Sequence, residues 1–135
     1  MPGGGGTPIN TLPFAGNRLT SDPVRYARTA AIIEADASLA IGSPTVAWVD
    51  SAFRAMNEFA DESYAGRLRQ PLLLVAAGQD QVVSTPATGA FAVRLRAGAH
   101  LVIPGARHEL LMEQDRYREQ FWAAFDAFVP GSPLF

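Results

Sequence analysis

Two residues in this sequence have the types and the placement to handle a proton together. Asp80 follows the apolar run at 71–77, and His108 follows a second apolar run at 99–103. A carboxylate can orient an imidazole and stabilise its charged form, and the imidazole can then act as general base. Each residue also has an ordinary structural reading, the aspartate as a turn or cap residue and the histidine as a solvated loop residue. What favours the pair is that each stands in the loop directly after an apolar run. Nucleophilic catalysis further needs a hydroxyl that becomes acylated. The sequence contains no G-x-S-x-G elbow. Ser43, within Gly42-Ser43-Pro44, has no strand before it and reads as a helix cap. Ser84 follows Asp80 too closely in the same loop to be its partner. The candidate catalytic residues are therefore Asp80 and His108, with no nucleophile in the chain.

The neighbouring residues argue against other chemistries. His108-Glu109-Leu110-Leu111-Met112 begins like a zinc-protease helix, but methionine stands where the second histidine is needed. With two histidines and no cysteine, neither a zinc site nor any other metal or cofactor is expected. Glu109 and Glu113 read as groups at a local helix start or behind the histidine, where acids suit a helix N-terminus. His100 is read as preceding the second strand, hence at the opposite edge of the sheet from His108 and outside the site.

The elements that must position the pair follow from local patterns. The run Leu72-Leu73-Leu74-Val75-Ala76-Ala77, bounded by proline and glycine, predicts a strand buried on both faces, as in a parallel sheet. Thr85-Pro86 opens a helix reaching about Leu95, the run at 99–103 is a second strand, and 113–129 reads as a long helix with Tyr117, Phe121, Phe125 and Phe128 on its buried face. Strand, helix, strand, helix makes one βαβ crossover with a covering helix. Both candidate residues then emerge at the C-terminal strand ends, where open parallel sheets bind ligands. Upstream, Ser21-Asp22-Pro23 starts a helix running to about Leu39, and Ser43-Pro44 starts a second. In the second, Val46, Val49, Phe53, Met56 and Ala60 form an apolar stripe, expected to be buried in an antiparallel helical hairpin.

Bulk properties narrow the class. The chain has 135 residues, 48% of them hydrophobic and 18% charged, which is globular composition. The net charge is −2, and the 11 basic residues, all arginine, are scattered, so no nucleic-acid partner is expected. The absence of cysteine excludes disulfides and thiolate chemistry. Neither a signal-peptide pattern nor a transmembrane run is found, and a soluble, cytoplasmic chain is expected. Residues 1–17, with a four-glycine run, read as a flexible leader or severed loop.

Six stretches carry a resemblance. Gln70-Pro71-Leu72-Leu73-Leu74-Val75-Ala76-Ala77-Gly78-Gln79-Asp80-Gln81-Val82-Val83 resembles the acid-bearing strand and turn of α/β-hydrolases. Pro104-Gly105-Ala106-Arg107-His108-Glu109-Leu110-Leu111-Met112-Glu113 resembles the histidine turn of the bacterial lysophospholipase and monoacylglycerol-lipase-like serine hydrolases. Asn17-Arg18-Leu19-Thr20-Ser21-Asp22, Arg25-Tyr26, Gly42-Ser43-Pro44-Thr45 and Trp48-Val49 are similar to the helical cap of that branch. The resemblance implies an α/β fold class, the C-terminal part of an α/β-hydrolase, with a helical cap (lid) segment at 18–66 and an α/β segment at 67–135. It makes Asp80 the triad acid and His108 the triad base, in the chain order of that superfamily. The implied activity is hydrolysis of lipid-derived monoesters by the parent protein, without cofactor. The alternatives are a catalytically inactive remnant, a module needing a partner chain that supplies the N-terminal half, and a peptidase of the same superfamily. It also implies an open sheet edge at 72–77, through which the chain is expected to self-associate.

Overall fold

The computed structural model describes residues 13–129. Residues 1–12 of the expected leader lie outside them. The remaining part, 13–17, is tied to the body. Phe14–Gly16 forms a 3-10 turn, and the Phe14 ring meets Tyr26 edge-on with centroids 5.5 Å apart.

Helix α1 spans Pro23–Ala35, capped by Asp22, whose carboxylate accepts from the Val24 and Arg25 N–H groups, with proline in the first turn. It stops short of the expected Leu39, because Asp36 caps a separate 3-10 turn at Ala37–Leu39. Helix α2 spans Val46–Ala60 and starts two residues later than Ser43-Pro44 suggests. The capping hydroxyl is that of Thr45, which accepts from the Trp48 N–H. Helix α3 spans Glu62–Arg67, capped by Asp61. Strand β1 spans Leu72–Ala77, helix α4 Thr85–Ala92, strand β2 Gly98–Ile103, and helix α5 Asp115–Phe128, the last preceded by a 3-10 turn at Leu110–Met112. The sequence pattern starts the final helix at 113, but Glu113 follows that turn with extended backbone, so α5 begins two residues later.

The expected antiparallel hairpin of α1 and α2 is not formed. The two helices make no extensive contact, and no residue of α2 is buried. The apolar stripe of α2 is real, but Val46, Val49, Phe53 and Met56 stand exposed. The end of α2 is fastened to α4 instead. The Arg94 guanidinium donates to the Phe59 carbonyl at 2.9 Å and the Asp61 carbonyl at 3.3 Å, neutralising the C-terminal end of the helix. Phe59, Tyr64 and Phe91 form an aromatic cluster beside it, with Phe59–Tyr64 and Phe59–Phe91 centroids at 5.3 and 5.7 Å.

β1 and β2 pair in parallel, from Leu72 opposite Gly98 to Ala77 opposite Ile103, with α4 as the crossover. Both α4 and α5 pack on the two strands. The core is small: Ala77, Ile103 and Ala106 are buried, with Val75, Leu101, Leu110, Tyr117 and Phe121 against them. β1 is therefore only half-buried along Leu72–Val75, and β2 is mostly exposed, unlike the doubly covered strands expected. The sheet has two strands among the described residues, so the second edge of β1 is unpaired. Beside that edge, Leu73, Val75, Phe121, Phe125 and Phe128 line an open groove of about 470 Å³. The aromatic face of α5 thus borders this groove and is only partly covered.

Candidate active site

The last residue pair of the parallel ladder fixes where the two loops leave the sheet. The pairing runs on past the strands: the Gly78 N–H donates to the Ile103 carbonyl at 2.9 Å, and the Gln79 N–H to the Ala106 carbonyl at 2.8 Å. Asp80 and His108 are thereby carried on two loops stitched to each other by backbone. Gly105, at φ +82°, supplies the left-handed turn that brings the second loop back over the first.

Within this frame the His108 Nδ1 lies 2.9 Å from the Asp80 Oδ2. The Asp80 side chain is 5% exposed and that of His108 33%. The other carboxylate oxygen, Oδ1, accepts from the Val82 and Val83 N–H groups at 2.8 and 3.0 Å. Burial alone raises the carboxyl pKa of Asp80. The Val83 N–H, His108 and the Val82 N–H outweigh it, so the pKa lies below the ordinary carboxylate value. An ionised Asp80 is an acceptor only, so Nδ1 of His108 donates the proton and Nε2 is the ring nitrogen left to accept one.

His108 is held through its neighbours in sequence. The Arg107 N–H donates to the Glu113 carboxylate at 2.8 Å, and the Glu109 N–H to the Leu19 carbonyl at 2.8 Å. The Arg107 side chain reaches the Asn17 and Thr20 carbonyls, both at 3.1 Å. The carboxyl of Glu109, half-buried beside His108, is raised by that burial, against the opposing effect of the imidazole. Glu113 is fully buried. Of the two sequence readings, a helix start or a group behind the histidine, the structure supports the second, with Glu113 bridging the histidine loop to Ser21.

The structure keeps the other candidates apart from the pair. His100 lies within β2, opposite Leu74, rather than before the strand. It is three residues from the strand end that leads to His108, so it does not join the site. The Ser84 hydroxyl caps α4, accepting from the Ala87 N–H at 3.2 Å. Ser43 is exposed in the link between α1 and α2. Among the described residues no cluster of three or more His, Asp or Glu could hold a metal ion, and no helix is long and apolar enough to cross a membrane.

Comparison with known proteins places this geometry. Lysophospholipase L2 of Escherichia coli, from strain K12 and from strain O6:H1, is 34% identical over 114 residues. The match covers 79% of this chain and 33% of the relatives, so the chain spans about a third of their length. A crystal structure of a soluble variant of monoglyceride lipase from Saccharomyces cerevisiae, in complex with a substrate analog, has the same fold with a TM-score of 0.67. It is 14% identical, and the superposition covers 93% of this chain and 42% of that one. The sequence model described as serine aminopeptidase, S33, matches residues 5–115. With an aspartate and a histidine joined across the C-terminal ends of two parallel strands, and with a family match over residues 5–115, the chain belongs to the S33 serine aminopeptidase family of α/β-hydrolases.

Proposed function

We propose that Asp80 and His108 are the acid and the general base of a serine-type carboxylic-ester hydrolase acting on lipid-derived monoesters, lysophospholipids or monoacylglycerols. The observation that carries this reading is the 2.9 Å contact between Asp80 Oδ2 and His108 Nδ1 at the ligand-binding edge of the sheet. The serine comes from residues other than those of this chain. As its hydroxyl oxygen bonds to the ester carbonyl carbon, Nε2 of His108 takes the hydroxyl proton. The same nitrogen then gives that proton to the departing alcohol, leaving an acyl-serine. Water repeats the two proton transfers and releases the acid and the free serine. Asp80 keeps the Nδ1 proton in place and stabilises the imidazolium at each step. The names of the L2 relatives and of the lipase neighbour support a lipid monoester as substrate. The exposed apolar side chains of α2 are suited to covering an acyl chain, in keeping with a lid at 18–66.

The S33 family description favours one second reading, aminoacyl hydrolysis by the same pair. Two proteins test both: the chain itself, and the product of its reading frame extended upstream to the first in-frame G-x-S-x-G. The chain alone is expected to show no turnover of p-nitrophenyl esters. The extended product is expected to hydrolyse monooleoylglycerol or lysophosphatidylcholine and to lose about 10³-fold or more in Asp80→Ala and His108→Ala variants. Turnover of aminoacyl p-nitroanilides instead of lipid esters would select the peptidase. An upstream frame without the elbow would select the inactive or partner-dependent module.

A further inference from the structure

Glu113 is a fully buried acid that the proposed chemistry does not use. Among the described residues its carboxylate accepts four hydrogen bonds. One oxygen accepts from the Ser21 N–H at 3.0 Å and the Arg107 N–H at 2.8 Å. The other accepts from the Ser21 hydroxyl and, at 3.2 Å, from the Gln114 N–H. A buried charge is tolerated where its lone pairs are filled in this way. The surroundings extend the grip. The Thr20 hydroxyl donates to the Met112 carbonyl at 2.7 Å, and the Arg25 guanidinium to the Glu113 carbonyl at 2.7 Å. Asn17 folds the opposite segment onto itself, accepting from the Leu19 and Thr20 N–H groups at 2.8 and 3.0 Å. The residues on either side of His108 are thus tied to the root of α1, Arg107 through Glu113 and Glu109 through the Leu19 carbonyl.

We propose that Glu113 is a positioning residue: its carboxylate clasps the histidine loop to Ser21 at the root of α1, and this clasp sets the imidazole of His108 against Asp80. The inference rests on the Asp80–His108 reading above. Its consequence is that the dyad is built from three segments of chain rather than two. Any displacement of the entry to α1 loosens the histidine. Glutamine at 113 keeps the volume but turns one acceptor into an NH₂ group facing N–H and O–H donors, so part of the clasp must open.

The test is proton NMR of the chain with 15N-labelled histidine. His100→Gln identifies which of the two histidine signals belongs to His108. The His108 Nδ1 proton is expected at low field with slow solvent exchange, and Asp80→Asn is expected to abolish it. Glu113→Gln is expected to speed its exchange at least about tenfold, the factor one lost hydrogen bond to a charged group corresponds to, while the amides of β1 and β2 stay protected. If Asp80→Asn abolishes the signal and Glu113→Gln leaves its exchange unchanged, the clasp is refuted and the dyad stands. If Asp80→Asn has no effect, the dyad reading fails and takes the inference with it. Should Glu113→Gln lose the protected amides, Ser21→Ala decides: faster Nδ1 exchange in an intact fold supports the clasp, and unchanged exchange overturns it.

Discussion

Gly78→Ala probes the contact between the two loops most directly. A Cβ at position 78 would lie 3.0 Å from the Ile103 carbonyl oxygen, 3.0 Å from the Pro104 Cα and 3.3 Å from the Gly105 nitrogen. All three are backbone atoms where β2 passes into the histidine loop, so no side chain can swing away to make room. Restoring ordinary contact means separating the loops by roughly 0.4 Å, which stretches the Gly78–Ile103 and Gln79–Ala106 bonds to the weak end of the hydrogen-bond range. Overpacking of this kind costs about 1–3 kcal/mol. Gly78 has no positive φ, so alanine recovers about 0.4–1 kcal/mol through a less flexible unfolded chain. The net expectation is a destabilisation of about 0.5–2 kcal/mol. Urea unfolding followed by circular dichroism reads this as a midpoint lower by about 0.3–1 M. Gly66, in α3 with nothing within 4 Å of its virtual Cβ, is the control. Gly66→Ala should raise the midpoint, because glycine inside a helix costs about 0.5–1 kcal/mol relative to alanine. A Gly78→Ala variant as stable as the parent, or more so, would refute the close loop contact on which the placement of Asp80 and His108 depends.

Asp80→Asn should change the acid limb of stability. The folded carboxyl has a lowered pKa, so its contribution is complete above the ordinary value of 3.8 and is lost as pH falls through the folded value. The variant should therefore be less stable at neutral pH, with the difference shrinking on acidification below about pH 4; a constant difference across that range would contradict the cause assigned. Ile103→Ala removes the largest fully buried side chain and should cost about 2–5 kcal/mol, seen as loss of a cooperative melt; a shift under about 1 kcal/mol would mean the core lies elsewhere. The unpaired edge of β1 and the adjoining aromatic groove should make the chain self-associate, as light scattering would register, and Leu73→Lys should raise the monomer fraction. A clean monomer with a melt above about 60 °C would rule that out.

Much of the site could be read along the chain, because its positioning is local. An unbroken apolar run between proline and glycine must be a strand or a buried helix, and six residues are too few for the helix. The strands at Leu72–Ala77 and Gly98–Ile103 follow, and with them the edge at which Asp80 and His108 emerge. Capping chemistry located the start of α1 at Asp22-Pro23 for the same reason. It failed at α2, where the pattern starts the helix at Ser43-Pro44 and the structure caps it with the Thr45 hydroxyl. Partners were a different matter. The α2 stripe says that an apolar surface wants covering but not by what, and the structure leaves it open while Arg94 and Phe91 hold the end of the helix. Glu113 is the clearest case. Its four donors come from Ser21, 92 residues away, and from Arg107 and Gln114, six and one away. Periodicity and turn chemistry describe what a residue does to its own stretch of backbone. Whether a carboxylate ends up solvated or buried in a complete set of donors depends on which distant segments fold against it, and only the tertiary structure decides that.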